Sequence, residues 1–120
     1  MLDLANICKL QSRIAPMRDP AMVQWRIVGG ARGRLAQRTG TCAWYDAVSD
    51  TINVPEYLAI MVAEAMYAPT ITHELCHAAQ RKRMGLPLYL LAKTFRRSAI
   101  EAEAVAEERR AQTILKVGVL

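Results

Sequence analysis

Along the first half of the chain the apolar positions change period from helical to alternating. Leu2, Leu4, Ile7, Leu10 and Ile14 recur at roughly helical spacing, which predicts a helix over residues 2–14, closed by Pro16 and Pro20. Met22–Val28 mixes β-branched, aromatic and polar side chains, as a strand does. Gly29, Gly30 and Gly33 predict a turn or flexible loop. Thr41–Tyr45 and Thr51–Val54 predict two more strands, and the turn-like Asp46–Asp50 between them predicts a hairpin. Pro55 ends the second strand. The strand at Thr51–Val54 is expected at the sheet edge, where an extended peptide could be held by backbone pairing. Trp25 and Trp44, both in strands, are expected in the core.

From Glu56 onward the pattern is helical. Glu56–Met66 has few breakers and predicts a helix. Pro69 opens the next, with Thr70 a candidate cap. It runs to about Met84 and stops at Gly85, with Arg81, Lys82 and Arg83 in its last turn, where cations suit the helix dipole. Pro87 starts a short helix through Phe95. Ser98 to about Lys116 is rich in Ala and Glu and free of Gly and Pro, a strong helix. A small antiparallel sheet followed by packed helices is an α+β arrangement. The 120 residues suffice for one domain, 1–120, with a modest core.

Composition narrows the class. With 52% hydrophobic and 22% charged residues the chain is too apolar to be disordered. Cys8, Cys42 and Cys76 are odd in number and form no CxxC pair, which argues against a disulfide framework or a zinc ribbon and fits a reducing compartment. Asp3 and the lack of a sustained apolar core make the N-terminus a poor signal peptide. The apolar stretches Leu58–Met66 and Leu86–Ala92 are too short to span a bilayer. The expectation is a soluble cytoplasmic protein with no membrane span. The net charge is +5, carried in part by Arg32, Arg34, Arg38, Arg81, Lys82, Arg83, Arg96 and Arg97. Such a surface can attract nucleic acid, anionic lipid or acidic polymers; solubility and helix-end charge are the simpler account and are preferred.

The candidate chemistry sits in one helix. His73 and His77, the only histidines of the chain, lie four apart and therefore on one helical face. Two imidazoles so placed can reach one zinc ion at about 2.0–2.1 Å. Glu74 emerges beside that position, as suits a general base that activates water. A catalytic zinc needs a third protein ligand and an open position. The candidates are Glu101, Glu103, Glu107 and Glu108, on a separate helix whose alanines 102, 104 and 106 would let it pack closely on the motif helix. Ser98-Ala99-Ile100-Glu101 is also a capping-box pattern, in which Glu101 would only tie down a helix start. Cys76, inside the motif, is expected to face the core. Tyr57, Tyr67 and Tyr89 are candidate oxyanion donors, and nothing in the sequence selects one.

The run Thr72–Gln80, followed about two dozen residues later by Ile100–Ala106, resembles the gluzincin pattern: HExxH with a glutamate from a following helix. The small single-domain minigluzincins, bacterial and phage proteins among them, are similar in size and in their order of strand hairpin then helices. The resemblance covers residues 70–84 most closely, then 96–106, and is architectural over 22–66. It implies a zincin-like fold with Zn2+ as cofactor, a peptide or protein as substrate, and His73, His77 and Glu101 as metal ligands. Glu101 is preferred because it stands in an E-x-x-A context with Ala104; Glu103 is the runner-up. The motif helix also resembles that of SprT-like proteases, but their third histidine and zinc ribbon are absent here. Three readings follow: a zinc-dependent peptidase, a catalytically silent zincin-fold module of a phage or bacterial assembly, and an SprT-like DNA-associated protease.

Overall fold

The chain builds a three-stranded mixed sheet and five helices, an α+β arrangement. The computed structural model describes residues 2–116; Met1 and residues 117–120 of the expected domain lie outside the described residues. Helix α1 (Leu4–Ile14) is capped by Asp3, whose carboxylate accepts the Asn6 N–H. Strand β1 (Gln24–Val28) leads into α2 (Gly30–Thr39), followed by β2 (Trp44–Asp46) and β3 (Thr51–Pro55). Helices α3 (Ala68–Met84), α4 (Leu86–Phe95) and α5 (Arg97–Leu115) complete the chain.

The expected antiparallel sheet holds only for the hairpin, where Tyr45 lies opposite Ile52. β1 pairs with β3 in parallel, Trp25 opposite Ile52. A parallel pair needs a crossover connection, and α2 is part of it. The three glycines therefore do not form a flexible loop. Gly30 adopts φ 63°, and a Cβ on Gly33 would come within 2.6 Å of the Val28 carbonyl oxygen, so this glycine lets α2 lie against the strand it follows.

The strand order β1-β3-β2 puts Thr51–Pro55 in the centre, not at the edge. All five of its residues are buried, as a central strand covered on both faces requires. The edges are β1 and β2.

Other expectations also shift. Glu56–Met66 forms no α-helix but two short 3-10 turns, 56–58 and 65–67. Burial of Leu58, Ala59, Val62 and Ala63 holds that segment in tight turns, and tertiary packing overrides helix propensity. Pro69 sits in the first turn of α3, while Thr70 lies inside the helix and Tyr67 takes the cap position. Arg96 precedes α5 and no side chain caps its start, so the Ser98–Glu101 capping box does not form. Trp25 and Trp44 are half-buried: the Trp25 indole donates to the Pro20 carbonyl, and the Arg32 guanidinium lies 5.6 Å over the Trp44 ring.

The main core joins Ile52 and Val54 of β3 to Ile71, Leu75 and Ala78 of α3, with Tyr89 and Ile100 closing it from the last two helices. α3 packs along α5 more extensively than any other pair of elements. Of the alanines at 102, 104 and 106 only Ala104 is buried; Ala111 joins it in the contact, and both are fully covered. That stripe of small side chains brings the two helices close and aims the carboxylates between them at α3.

Candidate metal centre

His73 and His77 project from one face of α3 toward α5, which supplies Glu101. Nε2 of His73 lies 3.3 Å from one Glu101 carboxylate oxygen, and Nε2 of His77 lies 3.2 Å from the other. One donor atom from each of the three residues falls within 4.8 Å of the others. The edge of a tetrahedron with bonds of about 2.0–2.1 Å is about 3.3–3.4 Å, so these spacings suit a zinc-sized ion.

The hydrogen bonds behind the rings determine what the front nitrogens can do. Gln80 is fully buried, and its Nε2 donates to the Ile100 carbonyl at 3.0 Å and to Glu103 Oε1 at 2.7 Å. A carbonyl and a carboxylate only accept, so the amide NH2 must face them. Gln80 Oε1 is thereby turned to Nδ1 of His77 at 2.9 Å and accepts its hydrogen. On the other ring, Nδ1 of His73 donates to Glu108 Oε1 at 2.7 Å. With a hydrogen on each Nδ1, Nε2 is the ring nitrogen left to carry a lone pair toward the Glu101 carboxylate. Three groups able to donate an electron pair converge there, an arrangement that could hold a cation. Burial holds His77 below the ordinary imidazole value, against the pull of Gln80 and Glu101, and so favours the neutral ring, the form able to ligate a metal. The Glu101 side chain is 41% exposed against 8% for His77, so the cluster stays open to solvent on the α5 side.

Glu74 lies one residue on from His73 and is half-buried. Its Oε1 accepts the backbone N–H of Tyr45 at 3.0 Å, which ties the motif helix to edge strand β2. Burial pushes its carboxyl up to about 7, opposed by His73 and the Tyr45 N–H. Tyr89 is buried, edge-on to Tyr45 at 6.5 Å between ring centroids. Burial lifts its hydroxyl to about 12, and the nearby Glu101 and Glu74 add to that. Of the three candidate tyrosines, Tyr57 has its hydroxyl committed to the Thr41 carbonyl at 3.0 Å, and Tyr67 stands in the 65–67 turn. Only Tyr89 lies among these carboxylates. Cys76 is buried with its sulfur 3.6 Å from that of Met17, and burial, with Glu103 and Glu107 adding, raises its thiol to about 12.

The structure separates the four candidate glutamates. Glu101 faces both Nε2 atoms. Glu103 is taken by Gln80 and Arg83, Glu107 by Arg110, and Glu108 by the rear of His73. Sequence reasoning did not single out Gln80, nor give Glu108 its place behind His73. Gln80 is three residues beyond His77 and so on the same helical face, which is the signal available for it. The Tyr45 backbone contact has no sequence signal. Comparison of the chain with protein-family models, with curated proteins and with solved structures found no match.

Proposed function

We propose that this chain is a zinc-dependent peptidase of the gluzincin type, with a zincin-like arrangement in which His73, His77 and Glu101 would hold the metal. The observation that carries the reading is the convergence of two Nε2 atoms on one carboxylate, each ring held from behind at Nδ1, His77 by the buried Gln80 and His73 by the half-buried Glu108. Zinc bound there supplies an acidified water and a Lewis acid for a carbonyl.

The protein's own groups do the rest. Glu74, held by the Tyr45 N–H, takes the proton of the attacking water and delivers it to the departing amine. β2, an outer strand of the sheet beside α3, would lie alongside an extended peptide, with its Tyr45 N–H already engaged by Glu74; β3 cannot, because it is paired on both sides. Of the candidate tyrosines, Tyr89, under the influence of Glu101 and Glu74, is the one that would donate to a developing oxyanion.

The SprT-like reading has no third histidine to draw on. The silent-module reading shares the metal and differs in turnover, so one variant separates the two. Glu74→Gln should retain zinc at wild-type stoichiometry while hydrolysis of a mixed peptide library falls by about 10²–10⁴-fold. Wild-type protein that binds no zinc after reconstitution, or a Glu74→Gln variant with undiminished turnover, refutes the proposal.

A further inference from the structure

Between Glu74 and Glu101 the chain has no acidic residue and carries six cations: Arg81, Lys82, Arg83, Lys93, Arg96 and Arg97. The middle of this stretch is α4, whose apolar side chains are distributed in an unusual way. Its inner side holds Tyr89 against Tyr45 in the core. Its outer side carries Leu88, Leu91 and Phe95, three and four residues apart and thus on one helical face. They are 60%, 55% and 79% exposed, and Phe95 is the most exposed large apolar side chain among the described residues. Helices on a protein surface turn their polar face to water. Here the outward face is the apolar one, with Lys93 in its last turn, Arg96 and Arg97 just beyond it, and Lys82 and Arg83 at the end of α3 before it; Arg81 is turned to the Ala47 carbonyl. Of the six, only Arg83 forms an ion pair among the described residues.

An apolar face of this kind marks a contact surface, and the charges indicate what covers it. A second copy docked face to face would bring like cationic clusters together, which costs free energy. A surface that is apolar inside and anionic at its rim matches both features. We propose that α4 docks flat on an anionic lipid surface, with Leu88, Leu91 and Phe95 in the acyl boundary and the flanking Arg and Lys side chains among the headgroup phosphates. No described helix is long and apolar enough to cross a membrane, so the contact is interfacial. The inference is independent of the zinc reading, because none of these side chains belongs to the cluster.

Co-sedimentation with vesicles tests it. Wild-type protein should pellet with phosphatidylcholine vesicles containing phosphatidylserine, remain in solution with phosphatidylcholine alone, and be released by high salt. Leu91→Asp and Phe95→Asp should each weaken binding by about tenfold or more. Reversing Arg96 and Arg97 to Glu should weaken it by about fivefold or more per charge. These side chains are exposed, so circular dichroism should report an unchanged fold. Three outcomes would overturn the proposal: folded wild-type protein that ignores the mixed vesicles, binding that survives Phe95→Asp, or a wild-type dimer in solution that Phe95→Asp dissolves.

Discussion

Gln80 spends a buried amide on three partners, two accepting from its NH2 and one donating to its oxygen. It fixes the hydrogen of His77 on the side away from Glu101, so it should govern metal affinity without touching the metal. Gln80→Leu is expected to weaken zinc binding about 10–100-fold, measured by competition with a chromogenic chelator. Tyr89→Phe should instead leave affinity intact and lower kcat by on the order of 10²-fold with little change in KM, the signature of a transition-state donor. At this scale the spacing of His73, Glu74 and His77 is local and legible, because one helical turn decides it. The choice between Glu101 and Glu103 is not: both meet α3, Glu101 at the two Nε2 atoms and Glu103 at Gln80 and Arg83, and which carboxylate faces the rings depends on how the two helices pack.

β2 is held in place by the turn that follows it. Asp50 accepts from both terminal guanidinium nitrogens of Arg18 at 2.7 Å and from the hydroxyl of Tyr45, the residue whose N–H holds Glu74. Burial works to raise the Asp50 carboxyl, but the Arg18 and Tyr45 hydrogen bonds outweigh it and hold it below the ordinary carboxylate value of 3.8. A carboxyl depressed in the folded state contributes stability above its unfolded value and loses it as pH falls through the folded one. Thermal melts of metal-free protein should therefore lose stability below about pH 4, and Asp50→Asn should flatten that acid limb. The start of α3 and the break between α3 and α4 were legible because Pro69, Gly85 and Pro87 punctuate them, and α5 because its Ala- and Glu-rich run holds no Gly or Pro. α2 was not, because three glycines read as a loop until the close approach of Gly33 to Val28 is seen. Nor was the parallel pairing of β1, which depends on contacts far apart in the chain.

Over the whole molecule, the proposed metal would join two helices whose ligands stand far apart in sequence, in the most extensive contact of the fold. A ligand that binds only the folded chain stabilises it by mass action, about 4 kcal/mol when present at a thousand times its dissociation constant. Chelation should then lower Tm by roughly 10 °C or more, and His73→Ala should show the lower Tm with or without added zinc. The α+β class was legible at this scale from the order of patterns. The inverted face of α4 was not, since apolar residues in a helix read as core until exposure is known.

The outer strand that would align a substrate spans only Trp44–Asp46, about 10 Å of backbone. So short a ledge grips a few residues and reads little of their identity. Selection would then fall on whether a stretch of polypeptide is loose enough to lie along it, and tightly folded targets would be spared except at their frayed ends and slack loops.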